Sequence, residues 1–278
     1  MKKGKKMKLI SRLGLMGCGK MGSVLVRSII GHRKDLSYLF YDINESASFE
    51  MMSAVDRDTA KVCLSEEELW NNSDCVLLAL RPNEAVELLQ RVASLENKPL
   101  IISVVAGLSY DRLCALSKNM RCIRTMPNIA SLLGTGVIAI EMRHHNSSLS
   151  LLDYAFAKKV LNYSGRLYEI YDERHMDVVT ALSGSGPGLF STFIEAIVDA
   201  AVSEGLPRVI AEGMARDTMF GTASMLELKN AMELKAEVMS PGGTTAKGLV
   251  AAERAGLTRA CMEFIIAASE HCRKISTE

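Results

Sequence analysis

The stretch Arg12-Leu13-Gly14-Leu15-Met16-Gly17-Cys18-Gly19-Lys20-Met21-Gly22 decides the fold. Arg12 to Met16 is a short apolar run that reads as a strand. It ends in Gly-x-Gly-x-x-Gly and passes into Val24, Leu25, Val26, Ile29 and Ile30 at helical spacing. Strand, tight turn and helix in that order form the context in which a glycine triplet signals dinucleotide binding. Gly17 makes the turn, Gly19 lets a pyrophosphate lie against the backbone, and Gly22 lets helix and strand pack closely.

Outward from this unit, Tyr38 to Tyr41 reads as a second strand ending at Asp42, 20 residues beyond Gly22. An acid there accepts hydrogen bonds from a ribose 2′-hydroxyl and repels a 2′-phosphate, which favours NADH over NADPH. A plain helix-start aspartate is the alternative, and Asn44 could fill that role too. The alternation continues through Lys61–Leu64, the capping-box sequence Ser65-Glu66-Glu67-Glu68, and Cys75–Leu80 stopped by Arg81-Pro82. Leu100–Val105 is stopped by Ala106-Gly107, and Arg121–Thr125 leads into Met126-Pro127-Asn128. Val137–Met142 and Arg166–Ile170 close the set. Apolar strands alternating with helices predict a mostly parallel, doubly wound sheet, whose ligands bind beyond the carboxyl ends of the strands. Taken singly, each turn has a bland reading as a corner or a helix start. Five ligand-compatible turns on one edge point to a site. His144-His145 reads as a solvated loop.

From Asp172 no strand-like run recurs. Ser183-Gly184-Ser185-Gly186-Pro187 introduces a helix to about Glu204, and Pro207 starts another to about Leu228. A short helix from Ala231 to Met239, a helix after Thr245 and one from about Thr258 to Arg273 complete the tail. Phe190, Phe193, Ile194, Ile197, Val198, Ala201 and Val202 make the first of these helices apolar over much of its circumference. So few helices cannot bury that much surface alone, so a second copy of the chain is expected to cover it. Between the last helices lies Ser240-Pro241-Gly242-Gly243-Thr244-Thr245, a glycine turn opening a helix. The amides of Gly243, Thr244 and Thr245 suit a small anion such as a carboxylate, although from the hexapeptide alone a plain Pro/Gly turn with a threonine cap is the better reading.

A formal net charge of +1 leaves no field for nucleic acid or an anionic membrane. Lys2, Lys3, Lys5, Lys6 and Lys8 make a basic start with no apolar stretch after it, so it reads as a solvated end. No run approaches the roughly 20 apolar residues of a membrane span. Seven widely spaced cysteines without Cys-x-x-Cys indicate reduced thiols and a cytoplasmic setting. The histidines show no ligand spacing, and no metal is expected.

The chain resembles the delta-1-pyrroline-5-carboxylate reductase family along almost its whole length. Six further segments join the glycine triplet in carrying the likeness: Ala79-Leu80-Arg81-Pro82, Ser103 to Gly107, Ile123-Arg124-Thr125-Met126-Pro127-Asn128, Ala181 to Pro187, Gly205-Leu206-Pro207-Arg208 and Ser240 to Thr245. The resemblance implies an N-terminal Rossmann-type α/β domain at 1–170 and an all-α substrate-binding and dimerisation domain at 171–278. It implies hydride transfer from NADH or NADPH to the imine carbon of 1-pyrroline-5-carboxylate, giving L-proline in the last step of proline biosynthesis. Ser240, Gly243 and Thr244 map onto the carboxylate pocket, and Thr245 onto the hydroxyl that hydrogen-bonds the ring nitrogen, the catalytic position. The cofactor set is Gly17, Cys18, Gly19, Lys20, Met21, Asp42, Leu80, Arg81, Pro82, Ala106, Gly107 and Asn128. A homodimer through the helical tail is implied, as is a possible ring of dimers. Departures are Arg81 for the usual lysine, Gly188-Leu189 for Ala-Tyr, Ala236 for aspartate, no His-Pro before Lys235, and the acids Asp42 and Glu66 where NADPH-preferring members carry neutral or basic residues.

Two other readings compete. A 3-hydroxy acid dehydrogenase of the 6-phosphogluconate or hydroxyisobutyrate kind needs a lysine on the helix after a glycine-rich segment. Gly188 to Phe193 offers none. A non-catalytic dinucleotide sensor is the other, supported by Gly188-Leu189 and the sequence around Lys235.

Overall fold

A computed structural model describes residues 10–118, 120–142 and 149–277. The basic start and His144-His145 lie outside the described residues. Two compact units are formed, one holding the chain up to Gly184 together with the residues from Ala268 onward, the other Ser185–Ala267.

The first unit is built on β1 (Arg12–Met16), β2 (Ser37–Tyr41), β3 (Ala60–Val62), β4 (Cys75–Leu78), β5 (Leu100–Ser103), β6 (Cys122–Pro127), β7 (Gly136–Glu141) and β8 (Gly165–Ile170). They form one sheet in the order β3-β2-β1-β4-β5-β6-β7-β8. All neighbours are parallel except β6 and β7. The chain leaves β1 for β2 and β3 on one side and returns to β4 on the other, which makes the carboxyl end of β1 the topological switch point. The fold class read from the sequence is therefore the one observed.

Helices cover both faces: α1 (Lys20–His32), α2 (Glu45–Met52), α3 (Glu66–Asn72), α4 (Pro82–Val92), α5 (Tyr110–Leu116) and α6 (Leu151–Leu161). Leu13, Leu15, Leu25, Phe40 and Leu77 pack on one side, and Met16, Leu69, Trp70, Val76 and Leu88 on the other. Strands buried on both faces read as unbroken apolar runs, as β4 and β5 do. Gly14 faces α3, where a Cβ would lie 2.7 Å from Leu69 Cδ2. Truncating Leu15, which is wholly buried, to alanine would cost about 2–5 kcal/mol.

Local signals account for the helix starts. Ser65 Oγ accepts the Glu68 amide at 3.1 Å, while Glu68 Oε2 accepts the amide of Leu64 at 2.7 Å, so the box closes one residue earlier than a reciprocal Ser65 pair. Pro82 occupies the first position of α4, where a missing N–H costs nothing. β4 and β5 end at Leu78 and Ser103, two residues before the expected ends. Ala79 and Val104 keep their amides on neighbouring strands, and the chain then curls into the turns.

After β8 comes α7 (Arg174–Val179), followed by one π-helical turn, Thr180–Gly184. Neither was expected from the sequence. Arg124 on β6 reaches Glu173 at 3.0 Å and Asp177 at 4.0 Å, holding α7 to the sheet. The first compact unit consequently runs on through Gly184.

The second unit holds α8 (Gly186–Ser203), α9 (Arg208–Met225), α10 (Ala231–Val238), α11 (Thr244–Arg254) and the first half of α12 (Leu257–Thr277). Val198, Ala211 and Leu234 are its buried apolar side chains among the described residues, whereas Val209, Phe220 and Leu228 are 82%, 75% and 84% exposed. A groove of about 700 Å³ lined by Phe190, Ile194, Ile197, Met214 and Met219 runs between α8 and α9. Helices this apolar and this uncovered do not form a self-sufficient core.

Candidate active site

The switch point gathers the first group of site residues. Gly17 has φ +95°, and a Cβ on it would lie 2.5 Å from the Ala79 carbonyl and 2.9 Å from Leu80 Cδ2. A Cβ on Gly22 would strike the Gly17 carbonyl at 2.3 Å, so both glycines are demanded by the protein's own packing. Gly19 is different. Its backbone is ordinary, at φ −68°, and a Cβ there would meet nothing within 4 Å. Neither strain nor packing requires that glycine, and its open face suits a pyrophosphate lying on the backbone at the start of α1.

Asp42 closes this turn. Its Oδ2 accepts the Cys18 amide at 2.7 Å and its Oδ1 the Asn44 amide at 2.8 Å. A carboxylate has about four acceptor sites, so two remain for a ribose diol. Glu66, the second acid expected to oppose a phosphate, is spoken for: Arg91 grips it in a forked pair, with Nη2 at 2.7 and 2.9 Å. Arg91 therefore offsets the Glu66 charge, and among the described residues no ion pair offsets that of Asp42.

Cys18 sits in the middle of the turn, but its thiol is pushed up to about 11 by burial, with Asp42 adding to the rise. It stays neutral near pH 7 and has no nucleophilic character there. Lys20, the first residue of α1, is exposed and Met21 is half-buried behind it.

Further along the edge, Arg81 is exposed and its amide donates to Glu84 Oε2 at 3.1 Å, a helix-start role. Pro82 begins α4. Ala106 is exposed and Gly107 turns with φ +73°. Asn128, nearly buried, uses both ends of its side-chain amide: Nδ2 donates to the Ser183 carbonyl at 3.1 Å, and Oδ1 accepts the Val137 amide at 3.1 Å. It pins the π-turn to the sheet edge.

Sequence reasoning passed over Arg124 and Glu173. Arg124 is 4% exposed, and Glu173, besides pairing with it, accepts the amide of Tyr110 at the start of α5. A cation inside the apolar run Cys122-Ile123-Arg124 was the available signal, because buried arginines need partners.

The second unit holds the Ser240–Thr245 turn. Gly242 takes φ +71° and the Gly243 amide donates to the Ser240 carbonyl at 2.9 Å. Gly243 has room for hydrogen only, since a Cβ would lie 2.2 Å from Ser240 Oγ. Gly243 is also the N-cap of α11, and no acidic residue stands in that helix's first turn. The Gly243 amide, expected to be open for an anion, is therefore spent inside the turn, and the amides of Thr244 and Thr245 open the helix as donors with no intrahelical partner, at the positive end of its dipole. Ser240, Thr244 and Thr245 are exposed around them. Among the described residues no group of three or more histidine, cysteine or acidic side chains could hold a metal ion.

A family profile described as pyrroline-5-carboxylate reductase dimerisation matches residues 173–275. Another, described as NADP oxidoreductase coenzyme F420-dependent, matches residues 12–107. A pyrroline-5-carboxylate reductase of Aquifex aeolicus is 33% identical over 270 residues, covering 96% of this chain and 98% of its own. One from Synechocystis is 32% identical over 268 residues, covering 95% and 98%. The chain belongs to the pyrroline-5-carboxylate reductase family. Its backbone agrees: the crystal structure of Plasmodium falciparum pyrroline carboxylate reductase, with NADP bound, superposes with a TM-score of 0.82 at 28% identity, covering 97% of this chain and 99% of that one. In this reductase one profile spans β1 to the Gly107 turn, and the other starts just ahead of α7.

Proposed function

We infer that this protein reduces 1-pyrroline-5-carboxylate to L-proline with NADH or NADPH, the last step of proline biosynthesis. The observation that carries the reading is the end-to-end match of the chain to reductases of that name. The residues supply what the reaction requires. The Thr244 amide and the Ser240 hydroxyl take the substrate carboxylate, the Gly243 amide joining them once it leaves the Ser240 carbonyl, and Thr245 hydrogen-bonds the ring nitrogen. A cyclic imine can arrive protonated, so no general acid is needed beside the turn. When bound, the reduced nicotinamide supplies the hydride. The chain's own contribution is proximity and electrostatic positioning.

Residues 1–170 hold the cofactor in this reading, with Gly17, Cys18, Gly19, Lys20 and Met21 around the pyrophosphate and Asp42 on the ribose, giving a preference for NADH. Leu80, Arg81, Pro82, Ala106, Gly107 and Asn128 line the other half. Residues 171–278 bind substrate and pair two copies through the open faces of α8 and α9. Family resemblance extends the assembly to a ring of dimers, and seven cysteines outside any disulfide support a cytoplasmic setting.

The test is loss of NADH absorbance by the purified protein with and without the cyclic imine. Imine-dependent oxidation with L-proline formed mole for mole is the expected result. Cofactor binding without any imine-dependent rate would mark the chain as a sensor and overturn the reading.

A further inference from the structure

The Ala106–Gly107 turn is held from two sides by residues far away in the chain. Strand order places the ribose-selecting Asp42 on the β2 side of the switch point, so the turn after β5 lies on the opposite, nicotinamide side. On one flank, the Tyr110 amide donates to the Glu173 carboxylate, which also takes Arg124 at 3.0 Å. On the other flank sits the end of α12. A Cβ built on Gly107 would lie 2.4 Å from Ile275 Cγ2 and 3.3 Å from its Cβ, so the Ile275 side chain rests directly on the turn. The same helical segment is seated in the first unit: Ser269 is 5% exposed, and Cys272 lies in the electrostatic field of Asp177 and Arg124.

We propose that the last turn of α12 braces the nicotinamide half of the cofactor site, with Ile275 as a positioning residue acting through Gly107. This rests on the reading of Ala106–Gly107 as a cofactor turn. Gly107 has φ +73°, so the turn has no side chain of its own to fill the gap. It needs a wall from elsewhere. Ile275 supplies one that slides no farther than its helix allows, so the turn's amides keep their direction when cofactor arrives.

The experiment uses the full chain and two probes, NADH and ADP-ribose, the second lacking the nicotinamide. Ile275→Ala is expected to weaken NADH binding by ~5-fold, the size of one or two lost methylene contacts. KM for NADH rises with it, while ADP-ribose affinity and the melting temperature stay near wild type. Ile275→Val keeps Cγ2 and restores binding. Gly107→Ala is expected to be worse than Ile275→Ala, and adding Ile275→Ala to it recovers part of the loss, because the second change removes the colliding methyl group. Equal loss of NADH and ADP-ribose, or no loss of either, overturns the brace. So does a double variant no better than Gly107→Ala alone. If Gly107→Ala leaves NADH affinity untouched, the cofactor reading of the turn itself fails instead.

Discussion

Asp42 accepts the backbone amide of Cys18 at 2.7 Å, so the side chain assigned to cofactor choice also shapes the turn assigned to the pyrophosphate. The two roles separate on substitution. Asp42→Asn keeps an acceptor for the Cys18 amide and removes the charge. NADPH affinity is then expected to rise roughly tenfold while NADH affinity falls little. Asp42→Ala removes both and weakens NADH by about 10–100-fold, more than NADPH. Fluorescence titration of each cofactor checks this. Equal losses for both would mean that Asp42 only shapes the turn.

Thr245 stands in the first turn of α11 with an exposed hydroxyl. Thr245→Val keeps the shape and removes the hydrogen bond, so turnover should fall by about 10–100-fold, the effect of losing one oriented bond in the transition state. Cofactor affinity should stay near wild type. Steady-state rates beside NADH titration make the comparison, and an unchanged rate removes Thr245 from the chemistry.

Ile197 lines the apolar groove between α8 and α9 and is 54% exposed. Ile197→Glu puts a charge where the second copy is expected to pack, a burial that costs several kcal/mol. Sedimentation should show loss of the dimer with loss of activity. A dimer of unchanged strength would place the contact elsewhere.

The thiols of Cys18 and Cys63 are each raised by burial from 9.0 to about 11. A folded-state value above the unfolded one means that the folded chain holds the proton more tightly. The stability this gives is complete below about pH 9 and is lost as pH climbs toward about 11. Urea midpoints should therefore fall across that window, and Cys18→Ala should flatten the fall. A flat profile in the wild type would show that these thiols titrate normally.

Much of this was legible in the chain. Arg12–Met16 was read with its observed ends, because an apolar run stopped by Gly17 leaves little choice. Pro82 and Ser65 marked helix starts through local chemistry that sequence displays. What escaped was non-local or atypical. α7 is six residues long with no side-chain cap, and the π-turn after it leans on Asn128, 55 positions before Ser183. Glu66 was read as a bare acid because Arg91, its partner 25 residues on, shows only in three dimensions. Of the site, the glycine turns were visible since their backbone demands are local. The seating of Ile275 on Gly107 was not, since nothing in either neighbourhood announces the other.

The most direct test is to bind L-proline in crystals of the protein with its cofactor and locate the carboxylate. The account predicts it against the Gly243 turn and the Thr244 amide, with the ring nitrogen within hydrogen-bond reach of the Thr245 hydroxyl. A carboxylate held anywhere else, with the Thr244 amide facing water, would contradict it.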